Sequence, residues 1–276
     1  MAAKTAIVAG EGILPVEIAK RLFETGVLPV VLALRSDIDA FGGISESVTR
    51  IRCPGVGRII KEMKRASVQN VILAGRVSKR IIYTMAIIPA LFDSVTLKTL
   101  AKSARDDHSL LASVVEAIEE AGIKVIPYYQ ILPELLASEG RISERAPNAE
   151  ETRDIECGEA VLRVTLPMSF GQAVIVAGGA VVALEALEGT DAMIERSSAL
   201  VKNGVLVKMM RIDQDTRYDM PTVGPATIAH MARAGLTCLA VESRRTLIME
   251  PQETFSLAER HNIAIWGLPC QIRQYS

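Results

Sequence analysis

The stretch Thr5-Ala6-Ile7-Val8-Ala9-Gly10-Glu11-Gly12-Ile13-Leu14-Pro15 decides how the first half of the chain is read. A short apolar run ends in a glycine turn, and residues 15–25 then show helical periodicity that stops at Gly26. Proline suits the first turn of a helix, where the amide hydrogen it lacks would have no partner. Working outward, residues 28–34 form a second β-rich run, Val56–Arg65 reads as a helix, and Asn70–Ala74 is a third strand ending at Gly75. Helices are expected near 95–102 and 110–121, with a short strand over 124–126. Strands alternating with helices imply parallel crossovers, hence an α/β fold with a Rossmann-like parallel sheet. Ligands of such sheets sit at the carboxyl ends of the strands. Those ends carry Gly10-Glu11-Gly12, Arg35-Ser36 and Gly75-Arg76.

Residues 128–148 are rich in Pro, Gly, Ser and charge, which places a domain boundary near Pro133. The expected division is 1–132 for the Rossmann-like domain, 133–150 for a linker, and 151–276 for a mixed α/β domain. In that second half, helices are expected over 152–166, 190–202, 226–234 and 251–261. Strands are expected over 205–211, 238–241, 246–249 and 263–266. Gly178-Gly179 between two apolar runs predicts a hairpin, and Thr190 is placed as a helix N-cap.

Composition narrows the function classes. Acidic and basic residues nearly cancel, 32 against 31, and aromatics are 4%, so neither phosphate-backbone binding nor base stacking is indicated, and no nucleic-acid partner is expected. The start of the chain lacks the pattern of a secretory signal. The longest apolar stretch, residues 81–92, contains Pro89 and falls short of the ~20 residues of a membrane span. The four cysteines and three histidines are dispersed, with no zinc or disulfide framework. A cytoplasmic protein is the expectation.

Two places could carry chemistry. The Gly10-x-Gly12 turn opens a helix, and its amides could face a phosphate; Pro15 breaks the dinucleotide fingerprint, and a plain tight turn is the equal alternative. The second place is the acidic region between Glu185 and Gly224. It begins Glu185-Ala186-Leu187-Glu188-Gly189-Thr190-Asp191, passes Lys208, and continues Asp213-Gln214-Asp215-Thr216-Arg217-Tyr218-Asp219-Met220-Pro221-Thr222. In an extended segment Asp213, Asp215, Arg217 and Asp219 would share a face. Clustered carboxylates repel unless a cation sits among them, and magnesium is commonly held by one or two carboxylates plus substrate phosphates. Taken by itself this stretch reads better as a solvated, turn-rich loop; the second acidic cluster tips the reading toward a site. Lys79 and Arg80 could neutralise a phosphate or line an ordinary basic loop, and Asp106-Asp107 could bind a ligand or cap a helix.

These residues resemble the LpxI family of UDP-2,3-diacylglucosamine pyrophosphatases. The matching pieces are Gly10-x-Gly12-x-Leu14-Pro15, Ala74-Gly75-x-Val77-x-Lys79 and Asp106-Asp107-x-x-Leu110-Leu111 in the first half. In the second half they are Gly171-Gln172, Glu185-Ala186-x-Glu188-Gly189-Thr190-Asp191 and Gln214-Asp215-x-Arg217-x-Asp219-x-Pro221-Thr222-Val223-Gly224. Five positions depart from the pattern: Ser169 stands where an acidic residue is expected, Arg211-Ile212 where Lys-Pro is usual, and Arg76 and Arg105 where smaller or neutral residues are. The resemblance implies hydrolysis of UDP-2,3-diacylglucosamine to lipid X and UMP, with metal-assisted attack of water at the β-phosphorus. It implies Asp219, Asp215, Arg217 and Lys208 as catalytic residues, with Asp215 and Asp219 holding magnesium or another divalent cation. Substrate would meet Gly10, Gly12, Gly75, Lys79, Asp106, Asp107, Gln172, Glu188, Thr190, Asp191, Gln214 and Thr222. A homodimer working at the cytoplasmic face of the inner membrane is implied too, and residues 81–92 are a candidate acyl-chain groove. The competing readings are a nucleotide-sugar or NAD-binding oxidoreductase, and a non-catalytic ligand sensor.

Overall fold

The computed structural model describes residues 3–34, 36–51, 55–76, 95, 107–212 and 214–270, with backbone only for 107–110. The expected helix over 96–102, the apolar segment 81–92, Lys79, Arg80, Asp106 and Asp213 lie outside the described residues, as do the side chains of Asp107 and His108. The protein is α/β throughout, in two compact units, and its described residues form a five-stranded parallel sheet, a six-stranded mixed sheet and a two-stranded parallel ribbon. Unit 1 comprises Met1–Pro133 and Asp215–Tyr218; unit 2 comprises Glu134–Gln214 and Asp219–Ser276.

The first unit follows β1 (Thr5–Ala9), α1 (Leu14–Glu24), β2 (Val30–Ala33), β3 (Ser47–Arg50), α2 (Val56–Arg65), β4 (Asn70–Ala74), α3 (Asp107–Glu120) and β5 (Lys124–Val125). Its five strands pair in parallel in the order β3-β2-β1-β4-β5. β1 is buried at every position. Its alternate residues Ala6 and Val8 pack with Ile59, Met63, Val115 and Ile118, while Ile7 and Ala9 are buried on the opposite face. Burial on both faces is why the strand reads as a continuous apolar run. The polar strand β3 escapes such a reading, because Ser47, Thr49 and Arg50 are exposed at the edge of the sheet.

The second unit follows β6 (Gly140–Arg141), α4 (Ala149–Thr165), β7 (Ala173–Ala177), β8 (Ala180–Leu184), α5 (Thr190–Ser197), β9 (Val205–Lys208) and β10 (Thr222–Val223). It continues with α6 (Pro225–Ala234), β11 (Cys238–Glu242), β12 (Leu247–Ile248), α7 (Pro251–Arg260) and β13 (Ala264–Leu268). The main sheet has the order β6-β13-β11-β9-β7-β8, parallel through β13, β11 and β9 and antiparallel at β6, β7 and β8. The expected hairpin at Gly178-Gly179 is β7–β8. One sheet face meets Ile155 and Leu162 of α4; the other packs Ile175, Leu206 and Leu239 against Met193, Ile228, Met231 and Ala258 of the later helices.

Several expectations are corrected here. Residues 134–150, expected as a linker, belong with the second unit: Gly140 and Arg141 pair with Gly267 and Trp266. Arg145 grips Glu151 with two bonds of 2.8 Å, and Asn148 and Glu151 cap α4 reciprocally. The helix expected over 190–202 ends at Ser197, and Gly189, with φ of 85°, is its N-cap in place of Thr190. β9 stops at Lys208 because a side chain, Glu242, takes the Met210 amide at 3.1 Å.

The α4 cap makes a stability prediction. Burial works against the Glu151 carboxylate, but hydrogen bonds from Arg145, Asn148 and Thr237 outweigh it and hold the pKa below the ordinary 4.5. The contribution to stability is therefore present above pH 4.5 and is lost as pH falls through the lowered folded value. Glu151→Gln is expected to cost about 1.5–3 kcal/mol at neutral pH and to flatten the acid limb of the unfolding profile. Thermal melts from pH 3 to 7 check this, and parallel limbs for both proteins would count against it.

Candidate functional site

Chemistry-bearing residues of the second unit gather where β9 ends. Lys208, its last residue, donates at 3.2 Å to both the Thr190 hydroxyl and the Thr222 carbonyl. Thr190, displaced from the capping role, donates to Glu185 Oε1 at 2.8 Å. Glu185 Oε2 accepts the Gln172 backbone N–H at 2.8 Å. The Gln172 side-chain amide donates to Gln214 Oε1 at 3.1 Å, and Gln214 Nε2 donates to Asp219 Oδ2 at 2.7 Å. One hydrogen-bonded chain thus runs Lys208–Thr190–Glu185–Gln172–Gln214–Asp219. It links two motifs widely separated in sequence, and Glu185 and Gln214 within it are buried.

The electrostatics centre on Lys208. Desolvation lowers its pKa from 10.5, while Glu185, Asp191 and Asp219 act in the opposite direction. One ammonium among three carboxylates offsets only part of their charge, and the site offers both a cation and acidic oxygens. Among the described residues no three His, Cys, Asp or Glu side chains converge as a ready-made metal cage. Both Glu185 oxygens accept hydrogen bonds, and Asp191 and Asp219, the latter already accepting from Gln214, are further hard-oxygen donors near Lys208. That donor set fits magnesium, which takes one or two carboxylates and completes its shell with phosphate and water.

The expected single face of Asp215, Arg217 and Asp219 does not form. Residues 216–218 make a turn, and Asp215–Tyr218 is counted with the first unit. Arg217 binds Asp215 through Nε at 3.0 Å, Nη2 at 2.7 Å and its own backbone N–H at 2.9 Å, and reaches Glu119 at 2.7 Å. Burial alone would raise the Asp215 pKa; the Arg217 hydrogen bonds overcome that and lower it. A carboxylate so fully engaged makes a poor metal ligand.

Other expected site residues are dispersed. Glu188 pairs with Arg196 at 2.9 Å, and Thr222 contributes its carbonyl to Lys208. In the first unit Gly10 and Gly75 press backbone against backbone. A Cβ on Gly10 would lie 2.7 Å from the Arg76 carbonyl, and one on Gly75 would lie 2.8 Å from that of Glu11. Packing of two strand ends therefore accounts for both glycines, and no phosphate is needed to explain them. Gly12, with φ of 102° and open space beside it, is the one that a ligand could approach.

Sequence reading missed Glu242, the buried last residue of β11, and Arg245, buried just beyond it; a charged residue closing an apolar strand was the available signal. Ser169 and Arg211, two of the departures, are neighbours, with Arg211 Nη1 donating to the Ser169 hydroxyl.

Comparison with known proteins covers nearly the whole chain. Residues 4–135 match the LpxI N-terminal domain, and residues 138–266 match the LpxI C-terminal domain. The UDP-2,3-diacylglucosamine pyrophosphatase LpxI of Caulobacter vibrioides is 31% identical, over 98% of this chain and 99% of that protein. Among solved structures, CobK precorrin-6A reductase aligns over 98% of this chain and 89% of its own at 13% identity, with a TM-score of 0.34, too low to carry an argument.

Proposed function

Because this chain belongs to the LpxI family, we propose that it hydrolyses UDP-2,3-diacylglucosamine to 2,3-diacylglucosamine 1-phosphate and UMP, a step of lipid A biosynthesis. The observation that carries this reading is the bonded chain from Lys208 to Asp219 at the carboxyl end of β9. Cleaving a pyrophosphate requires neutralised phosphate charge and an oriented water. Lys208 supplies a cation held in place by Thr190 and the Thr222 carbonyl. The Asp219 carboxylate, fixed by Gln214, orients the attacking water. The water oxygen bonds to the β-phosphorus as its proton passes to the Asp219 carboxylate, the bond from that phosphorus to the bridging oxygen breaks, and UMP leaves with the bridging oxygen and its bonding electron pair. A divalent cation bound by Asp219 and Asp191 would add charge stabilisation worth several kcal/mol. The earlier pairing of Asp215 with Asp219 is set aside, since Asp215 is occupied by Arg217.

Two outcomes test the reaction. Excess chelator is expected to bring UMP release to background, with recovery on adding magnesium; undiminished release would sink the metal role. In ¹⁸O-labelled water the label is expected in the sugar 1-phosphate, and label in UMP would place the attack at the other phosphorus.

The acyl chains of the substrate put the work at a membrane surface, and no helix among the described residues is long and apolar enough to cross one. We place the protein in the cytoplasm, as a homodimer in peripheral contact with the inner membrane. Light scattering that gives a monomer mass, or no co-sedimentation with lipid vesicles, would refute the respective part.

A further inference from the structure

We infer that Glu242 and Arg245 form a clamp that positions Asp219 through Met210, Arg211 and Gln214, an inference that rests on the functional reading of Asp219 above. Among the described residues after β9, 209–212 and 214 belong to no strand or helix, yet they must present Gln214, whose amide holds the Asp219 carboxylate. Backbone groups outside regular structure need other partners. Two adjacent residues of this segment find them at the end of β11 and on the turn that follows it. The Met210 N–H donates to Glu242 Oε2 at 3.1 Å, and Arg245 Nη2 donates to the Arg211 carbonyl. The Arg211 N–H in turn donates to Gln214 Oε1 at 3.3 Å. The path from Arg245 to Asp219 thus passes through one carbonyl, one backbone amide and one side-chain amide.

The clamp is built of charge held out of water. Glu242 and Arg245 are each 4% exposed, and Arg245 Nη1 stands 3.7 Å from Glu242 Oε1. The Arg245 fork is not used as a bidentate grip: Nε and Nη1 make no hydrogen bond. An arginine present for a strong ion pair would align two nitrogens with the carboxylate. Here one nitrogen reaches a carbonyl and the charge attracts Glu242, a task that a lysine ammonium can also perform.

The test uses the full-length protein and three readouts: folding by thermal melt, kcat and KM on UDP-2,3-diacylglucosamine, and hydrogen exchange at 209–214. Arg245→Met is expected to lower kcat about 10–100-fold, as loss of a supporting partner does, with little change in KM and faster exchange at 209–214. Arg245→Lys should restore most of kcat. Added to Asp219→Asn, Arg245→Met should cost nothing further, because both act through one group. A lowered melting point with full kcat in the folded protein overturns the proposal, as does an equal fold-loss in the Asp219→Asn background. Should Arg245→Met not fold, Glu242→Gln decides: it keeps an acceptor for Met210 but drops the charge that holds Arg245. Reduced kcat with faster exchange at 209–214 supports the clamp, and wild-type values of both overturn it. A wild-type protein inactive on this substrate refutes the functional reading alone. The exchange arm then decides the clamp, with unchanged exchange in the variants counting against it.

Discussion

Asp219→Asn is expected to slow turnover by about 10²–10⁴-fold, the range associated with losing a positioned proton-transfer group, while substrate affinity stays nearly unchanged. Asparagine keeps the shape and can still accept the 2.7 Å bond from Gln214, so the fold around it is preserved. It loses the negative charge needed to orient water or to hold a cation. A loss confined to kcat marks an interaction made in the transition state. Asp219 also precedes Met220-Pro221, and the proline restricts the backbone just beyond it. Asp215 makes the contrast. Its carboxylate is taken up by Arg217, so Asp215→Asn should disturb that turn and affect turnover far less. Turnover and equilibrium binding measured on both folded variants settle the ranking. Near-normal turnover in Asp219→Asn, or equal losses of binding and rate, would move the centre of the site elsewhere.

Lys208→Met is expected to abolish turnover, because it removes the cation that faces the substrate phosphates. Methionine matches the stem of lysine but leaves Glu185, Asp191 and Asp219 facing one another without a cation. Lys208→Arg keeps the charge and separates electrostatics from shape. Desolvation puts the folded pKa of Lys208 below 10.5, so the folded protein holds this proton less tightly than the unfolded chain does. Stability from this group therefore rises as pH climbs from the folded value to 10.5, a rise that Lys208→Met should lack. Activity that needs the ammonium falls along an alkaline limb lying below 10.5, and arginine, which stays charged, should move that limb upward. An alkaline limb identical in wild type and Lys208→Arg would show that another group sets it.

The parallel sheet of the first unit was legible because β1 is buried on both faces and ends at a glycine turn, a pattern local to a dozen residues. The β7–β8 hairpin was legible for the same reason. Strands β3 and β6 were not: the first is polar at a sheet edge, and the second is two residues long and exists through its pairing with β13. The site was legible as a list of residues but not as an arrangement. Alternation along 213–219 presumed an extended chain, whereas the affinity of Arg217 for Asp215 two residues away favours a turn there. The bonds that assemble the site, from Gln172 to Gln214 and from Thr190 to Lys208, join segments that no periodicity relates. Glu242 and Arg245 were invisible for a similar reason, since their partners Met210 and Arg211 lie on another strand's extension.

The most direct measurement of the central claim is a ³¹P NMR time course of the purified protein with UDP-2,3-diacylglucosamine and magnesium. The two coupled pyrophosphate resonances are expected to disappear together, replaced by two phosphomonoester resonances, those of UMP and of the sugar 1-phosphate, in equal amounts. Pyrophosphate resonances that persist unchanged in the presence of folded protein would contradict the account.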